Sequence, residues 1–383
     1  MADYKIIQDP LNGPIKLSGL YEELLDTPEM QRLRYVKSLG LCYLVFPGAN
    51  HTRFEHSLGV MNLARDFAHT LELEDTDIAA VSGLLHDVGH PPMSHGVERF
   101  FQDSTGMDHL EAGVRIVRGK PPFESSRIPD ILDSHGIDPG EVTQIMKGKS
   151  SRYPIHSKIV SGPIDVDEMD YLRRDSLFCG VKLGLIDERR IMNIAKTESS
   201  DLVIEEKGIP AVESVLIARI LMYNSVYFHK TCRIAQIMME KALELASSPP
   251  ENPFNMGDHD LLAAISKDEA SRKLVGEIMQ RKLFKPLARV PYSKEKESGI
   301  TRKLGSNYNT SDFIVDVIPP LSFSGIDRVK SDLRVVTGKK TYSLEGVSPL
   351  VRALYETLEI RTINVSSREG IRDEVLNDLV EFT

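Results

Sequence analysis

The sequence predicts a mainly α protein, with a large helical part over residues 1–246 and a smaller C-terminal α/β region over 254–383. Three observations carry that prediction. Apolar residues recur at helical spacing at Leu58, Met61, Leu63, Ala64, Phe67 and Leu71, and again at Ile78, Val81, Leu84, Leu85 and Val88. The run Ser247-Ser248-Pro249-Pro250-Glu251-Asn252-Pro253 then breaks the last long helix. Beyond it come β-rich segments at Phe313–Ile318, Leu333–Val336 and Ile360–Val365.

Taken in order, Lys5-Ile6-Ile7, the turn Pro10-Leu11-Asn12-Gly13-Pro14 and Ile15-Lys16-Leu17 read as a short hairpin. Helical periodicity takes over from about Leu20 and continues as packed helices to about residue 246. Pro91 and Pro92 end the helix that leads to His86. After the Pro-rich break, helical stretches lie near Leu261 and Leu274. The segment Tyr292-Ser293-Lys294-Glu295-Lys296-Glu297-Ser298-Gly299 reads as a polar, mobile loop. No internal repeat, heptad array or low-complexity tract is present.

At 383 residues the chain exceeds the size at which a single core stops growing, which favours one large unit plus a smaller one. Its formal charge of -9, from 47 basic and 56 acidic side chains, argues against a general nucleic-acid-coating surface. A local basic pocket for a small anion stays compatible with that charge. The N-terminus carries no basic-then-apolar leader, and no apolar run long enough to span a bilayer is seen, so a cytoplasmic protein without membrane contact is expected. Cys42, Cys179 and Cys232 are far apart and form no CxxC pair, which points to reduced thiols.

Against this background a few histidines and acids stand out. His56 lies in Arg53-Phe54-Glu55-His56-Ser57, His86-Asp87 at the close of a helical run, and Asp167 in Asp165-Val166-Asp167-Glu168-Met169-Asp170-Tyr171. Together they can offer one ion mixed nitrogen and oxygen ligands, as metal-assisted phosphate chemistry requires. Sequential residues on a helix diverge by about 100°, so His86 and Asp87 reach one ion only near a helix end. On residue types alone, ordinary structural roles for these four side chains stay as open as metal ligation.

Asp167, Tyr171 and Asp175 repeat at i, i+4, i+8 and share one helix face, as do Arg219, Tyr223 and Tyr227, with Lys230 three residues further along the same long helix. A cationic and aromatic stripe suits a phosphorylated base better than an apolar core, although a solvated arginine face fits the same spacing.

His56, His86-Asp87 and Asp167 resemble the H…HD…D signature of the HD-domain phosphohydrolases. The blocks Asp26–Tyr35, Val45–Ala49, Arg53–Val60, His86–His90 and Ile164–Asp175 are similar, in the same order, to the SAM-and-HD-domain deoxynucleoside triphosphate triphosphohydrolases and their prokaryotic relatives. That resemblance runs from about Lys5 to Lys230, leaves no room for a SAM module, and implies an HD-domain helical core. It implies one divalent metal ion, whether iron, manganese, zinc, nickel or magnesium, held by His56, His86, Asp87 and Asp167. It gives His95 the role of general acid with Glu98 and His109 in support, and places His90 on the substrate side. Phosphate contacts fall to Arg53, Arg219 and Lys230, the sugar to Tyr171 and Asp175, and a base-side wall to Tyr227.

The resemblance also matches Asp26, Gln31 and Arg34 to residues that read a guanine at a regulatory site between subunits, implying a guanine nucleotide activator and a homo-oligomer, dimer or tetramer. A helix with ordinary surface charge explains the same three residues equally well. The chain departs from the family pattern at Ser38, Glu168 and Phe228, where the family has glutamine, a phosphate-contacting lysine and glutamine. The expected function is therefore metal-dependent hydrolysis of deoxynucleoside triphosphates to deoxynucleoside and triphosphate. Hydrolysis of nucleoside monophosphates or phosphodiesters is the alternative, and a nucleotide-sensing or single-stranded nucleic-acid-binding scaffold a second one.

Overall fold

The computed structural model describes residues 4–320, 332–355 and 361–382. A hairpin of β1 (Lys5–Asp9) and β2 (Gly13–Leu17) opens the chain. Helices α1 (Leu20–Leu25), α2 (Pro28–Arg32), α3 (Arg53–Thr70), α4 (Thr76–Leu85), α5 (Glu98–Thr105) and α6 (His109–Val117) come after it. Next are α7 (Ile128–Ser134), α8 (Pro139–Met146), α9 (Pro154–Ser161), α10 (Val166–Cys179) and α11 (Glu188–Ile194). The fold class is thus mainly α, as the periodicity predicts.

Several helix starts are written into the sequence as side-chain caps. Thr27 accepts from the Met30 amide, with Pro28 at the first helical position. Asp108, Asp138 and Asp165 cap α6, α8 and α10 in the same way, which helps fix the register of the helical residues after each cap. The centre of the core is α3, whose Phe54, Leu58, Met61, Ala64 and Phe67 are buried against α4 and α10. Gly59 makes the α3–α10 approach feasible, because a β-carbon there would lie 2.0 Å from Asp170 Oδ1 and 2.5 Å from Arg174 Nη2.

Three departures from the sequence reading have clear physical origins. Residues 195–205, inside the stretch read as packed helices, form a hairpin of β3 (Ala195–Glu198) and β4 (Asp201–Glu205). The expected long helix through Lys230 is divided: α12 (Ile209–Met222) runs into a π turn at Tyr223–Tyr227, closed by the Phe228 amide on the Tyr223 carbonyl, and α13 (Lys230–Glu244) starts afresh. After α14 (Asp258–Ile265), α15 (Glu269–Met279) and β5 (Lys285–Pro291), the expected loop at 292–299 becomes the start of α16 (Lys294–Asn307). Ser293 caps that helix, and Ile300 and Leu304 on its buried side offset its polar first turn.

The remaining elements are β6 (Phe313–Ile318), β7 (Arg334–Thr337), β8 (Lys340–Ser343), α17 (Leu344–Val347), α18 (Pro349–Tyr355), β9 (Thr362–Ser367) and α19 (Arg372–Leu379). Strands β5, β9 and β6 form an antiparallel sheet in that order, covered by α16 and α19 around Val290, Ile363, Val365 and Val375. Of the strand expected at 360–365, Ile360 lies outside the described residues. Strand β7 pairs parallel with β4, so one sheet of order β3-β4-β7-β8 joins segments on both sides of residues 247–253.

The helical run Glu206–Tyr227 has 22 residues and is apolar enough by length and composition to cross a membrane, contrary to the sequence expectation. Its inner face packs Val212, Val215, Leu216, Ala218 and Met222 into the core and also buries Arg219.

The hairpin is tied to the core by charge. Arg174 is 1% exposed and donates to Asp9 Oδ2 at 2.8 Å and to the two Asp170 oxygens at 2.7 and 3.0 Å. The substitution Arg174→Met would leave two buried carboxylates without their counter-ion, and is expected to lower the unfolding free energy by about 3–5 kcal/mol. Urea unfolding checks this; a loss below about 1 kcal/mol would show that the network carries no such weight.

Candidate functional site

The first turns of α3 and α10 and the loop after α4 converge on one point. Helix α3 delivers His56, α10 delivers Asp167, and α4 stops at Leu85, so that His86 and Asp87 occupy the helix end where both can face inward. His56 Nε2 lies 3.0 Å from Asp167 Oδ1 and 3.6 Å from Asp87 Oδ2. His86 Nε2 lies 3.2 Å from Asp87 Oδ1 and 3.6 Å from Asp167 Oδ1. Donor atoms of His56, His86 and Asp87 all fall within 4.8 Å of one another.

The loop that carries Asp87 is held from three sides. Arg32 donates to the carbonyls of Val88, His90 and Met256 at 2.8–2.9 Å. Met93 and Ser94 take positive φ angles of 61° and 49°, a strained turn for side chains of this kind. Asp258 pins the turn by accepting the Met93 amide at 2.7 Å and the Lys37 amide at 3.1 Å.

Hydrogen bonding fixes which ring nitrogens face the cluster. His86 Nδ1 donates to the Gly83 carbonyl at 2.8 Å, so its Nε2 carries the lone pair; that atom is buried and has no hydrogen-bond partner. His56 Nδ1 lies 2.9 Å from Asp170 Oδ2, a carboxylate–histidine arrangement typical behind metal ligands. Burial works against charge on His56, but the Asp167 and Asp170 bonds outweigh it and push its pKa up to about 10. Burial likewise opposes the Asp170 charge, yet Arg174 and His56 bring its pKa down to about 2. An orphaned buried imidazole nitrogen among two carboxylates and a second imidazole fits a divalent cation well.

Beside this cluster lies a cavity of about 810 Å³. Arg53 lines it, bonded to Asp87 Oδ2 at 2.6 Å and to Ser94 Oγ at 3.0 Å. His90 stacks on His109 with centroids 4.1 Å apart, and His109 Nδ1 bonds Glu98. Burial, with the Arg53 and His109 charges, holds the His90 pKa well below its ordinary value, whereas Glu98 raises that of His109 against burial. His95 sits in the 3-10 turn Ser94–Gly96, and its side chain lies outside the described residues.

The opposite wall is aromatic and polar. Tyr171, Tyr223 and Tyr227 meet edge to face, and Asp175 accepts from Tyr227 Oη at 2.7 Å. Arg219 lines this wall with its Nη1 3.0 Å from Glu168 Oε1, as does Phe228, while Ser38 lines the cavity beside Arg53, whose Nη2 donates to the Ser38 carbonyl. Lys230 is exposed and absent from the lining, because the helix stops after the π turn and Lys230 opens a separate helix capped by His229, so the periodicity of α12 does not carry through to it. Arg233, one turn further along α13, faces the cavity instead and pairs bidentately with Asp316.

The three residues matched to a regulatory site do not meet in one described pocket. Asp26 bonds Lys5 at 2.6 Å and lines a small groove with Glu22, Glu23 and Arg127. Gln31 accepts from Arg34 at 2.9 Å, and the Arg34 guanidinium lies 3.5 Å over the Phe54 ring.

Sequence reasoning missed His51, Asp170, Arg174 and Arg233. His51 is 1% exposed, stacks on Phe178 and places Nε2 2.7 Å from Asp175 Oδ1. The one available signal was the i, i+4 pairing of Asp170 with Arg174 directly behind Asp167.

Residues 53–175 match the family model of the HD domain, and residues 186–381 match that of the HD associated region. An uncharacterized protein of Methanocaldococcus jannaschii is 32% identical over 94% of this chain and 78% of its own length. The deoxynucleoside triphosphate triphosphohydrolase SAMHD1 of Homo sapiens is 27% identical over 82% of this chain, which spans 62% of that protein. The crystal structure of a hypothetical protein from Aquifex aeolicus has a TM-score of 0.83 at 30% identity, covering 98% of this chain and 100% of its own. A phosphohydrolase from Bacteroides thetaiotaomicron has a TM-score of 0.78 at 26% identity, covering 96% and 100%.

If His86 is a ligand and Asp170 orients His56, the two positions respond differently to substitution. His86→Ala is expected to abolish stoichiometric metal in elemental analysis, whereas Asp170→Asn weakens affinity by about 10–100-fold in a competitive chelator titration. Stoichiometric metal in His86→Ala would remove His86 from the ligand set.

Proposed function

The chain belongs to the HD-domain phosphohydrolases and is a metal-dependent enzyme of that family; from that membership we propose that it hydrolyses deoxynucleoside triphosphates to deoxynucleoside and inorganic triphosphate. One observation carries the reading: the His56, His86, Asp87 and Asp167 cluster opens onto a cavity walled by Tyr171, Tyr227 and Asp175 and by Arg53 and Arg219. A cavity of about 810 Å³ is of the size that encloses a nucleotide. The name of the human relative, a deoxynucleoside triphosphate triphosphohydrolase, agrees with it.

His56, His86, Asp87 and Asp167 would hold the ion, which supplies Lewis-acid polarisation of a phosphoryl oxygen. Arg53, paired with Asp87 beside the cluster, is placed to donate hydrogen bonds to phosphate oxygens. Asp175, oriented by His51 and Tyr227, keeps lone pairs to accept from a sugar hydroxyl. The stacked His90 and His109, with Glu98 behind, form a proton-holding surround. His95 retains the role of proton donor to the leaving oxygen that the family resemblance implies for it.

A second reading, hydrolysis of nucleoside monophosphates or phosphodiesters, is favoured by the pairing of Arg219 with Glu168 and of Arg233 with Asp316, which reduces the free positive charge facing a polyphosphate. Purified protein loaded with manganese, magnesium or iron and given a nucleotide panel separates the two by chromatography of products. Inorganic triphosphate is the expected product; orthophosphate from monophosphates alone would replace the first reading by the second.

Regulation by a guanine nucleotide at Asp26, Gln31 and Arg34 belongs to the same proposal, together with assembly into a homo-oligomer. Asp26→Ala is expected to alter activation by added guanine nucleotide while leaving unstimulated turnover unchanged. An unaltered activation curve in a steady-state assay would remove the regulatory part.

A further inference from the structure

This inference rests on the nucleotide reading above and concerns how the cavity counts phosphates. Arg219 is 9% exposed, faces the cavity beside Tyr171 and Tyr223, and has its Nη1 3.0 Å from Glu168 Oε1. Its Nε and the facing Glu168 Oε1 are both buried without a hydrogen-bond partner, so the two groups meet as an ion pair and the guanidinium keeps an unused donor. Glu168 is 4% exposed and comes directly after the ligand Asp167, and its amide is held by the Asp165 cap at 2.9 Å, which fixes the first turn of α10. The acid is thus buried beside Arg219.

The same pairing recurs around the cavity. Among the described lining residues, Arg53 is bonded to Asp87, Arg174 to Asp170 and Asp9, and Arg233 to Asp316, while Arg99 is exposed. Of these carboxylates Glu168 differs in purpose. Asp87 is a candidate ligand, Asp170 orients His56, and Asp316 ties α13 to β6, whereas Glu168 has Arg219 as its ion-pair partner.

A phosphate chain reaching Arg219 meets a buried pair of no net charge. Each added phosphate charge is attracted to the guanidinium and repelled by the nearby carboxylate to nearly the same extent. Arg219 then acts as a hydrogen-bond donor that recognises the presence of a phosphate without rewarding the number of charges behind it.

We propose that Glu168 is a specificity-determining residue: by holding Arg219 as a neutral pair, it flattens the dependence of binding on phosphate number, so that nucleoside monophosphates and diphosphates compete effectively with triphosphates for this cavity. The acid acts through Arg219, and its effect lies in selectivity between ligands and not in binding as such.

The test uses metal-loaded protein and deoxyadenosine mono-, di- and triphosphate analogues in which a methylene replaces the 5′-oxygen, so that none of them turns over. Isothermal titration gives the monophosphate-to-triphosphate affinity ratio. For the wild type the two ends are expected to differ by no more than about tenfold. In Glu168→Gln the preference for the triphosphate grows by about tenfold, while Glu168→Gln/Arg219→Gln, which removes the whole pair, stays within about threefold of the wild-type ratio.

Since Glu168→Gln leaves a buried cation without its counter-ion, folding of each variant is monitored by thermal melting. If that variant does not fold, the double variant decides alone. A tenfold loss of triphosphate preference in the double variant would mean that Arg219 acts as a free cation and would overturn the proposal, as would an unmoved ratio in folded Glu168→Gln. A wild-type protein that binds none of the analogues would sink the nucleotide reading itself, and this inference with it.

Discussion

The candidate site depends on a buried line of charge that runs from the N-terminal hairpin to the metal cluster. Asp9 receives Arg174, Arg174 grips both oxygens of Asp170, and Asp170 holds His56 Nδ1. Each link is nearly inaccessible to water, so none can be weakened cheaply: a lone buried charge costs several kcal/mol, while the paired set about balances its own desolvation. The hairpin is thus part of the functional architecture, despite standing far from the cluster in sequence. Gly59 belongs to the same device, since a side chain there would occupy the space of the Asp170 carboxylate.

The second structural requirement is the loop between His86 and Gly96, which places Asp87 and His90 and carries two residues at positive φ. Local sequence does not stabilise such a turn; distant anchors do. Arg32 takes the carbonyls of Val88 and His90 from one side, and Asp258 takes the Met93 amide from the other. Asp258 and Met256 come from beyond the Pro-rich break at 247–253, and β7 pairs with β4 across the same break. The region after the break therefore shapes the cluster itself, which explains why a chain with an HD domain at 53–175 also carries the associated region at 186–381.

The physics of each element decides how much of this was legible in the sequence. His56, His86-Asp87 and Asp167 could be picked out because together they match the H…HD…D signature, and the Asp165 cap fixes the start of the helix that carries Asp167. Asp170, Arg174 and His51 could not, because a buried acid or histidine is spelled like an exposed one until its partner is known. Arg233 and Asp316 are 83 residues apart, and nothing local announces the pair. Lys230 failed for a different reason: periodicity assumes a continuous α-helix, and the chain breaks at Phe228–His229 after the π turn, so that in the new helix Arg233 takes the inward position. The start of α16 was hidden by its polar first turn, whose buried side becomes visible only from Ile300 onward.

These corrections bear on function through charge. A cavity with five arginines among its described lining residues looks strongly basic, yet four of them are paired with carboxylates in the folded protein. Such a cavity offers a phosphate a set of oriented donors around a cation site, with the uncompensated positive charge concentrated in the ion when it is bound. Attraction of this kind is short-ranged and centred on the phosphate nearest the His56–Asp167 cluster, while phosphates further out meet paired guanidinium groups. On the proposed nucleotide reading, selectivity at the sugar, set by Asp175 between His51 and Tyr227, would then weigh more in choosing the substrate than the length of its phosphate chain.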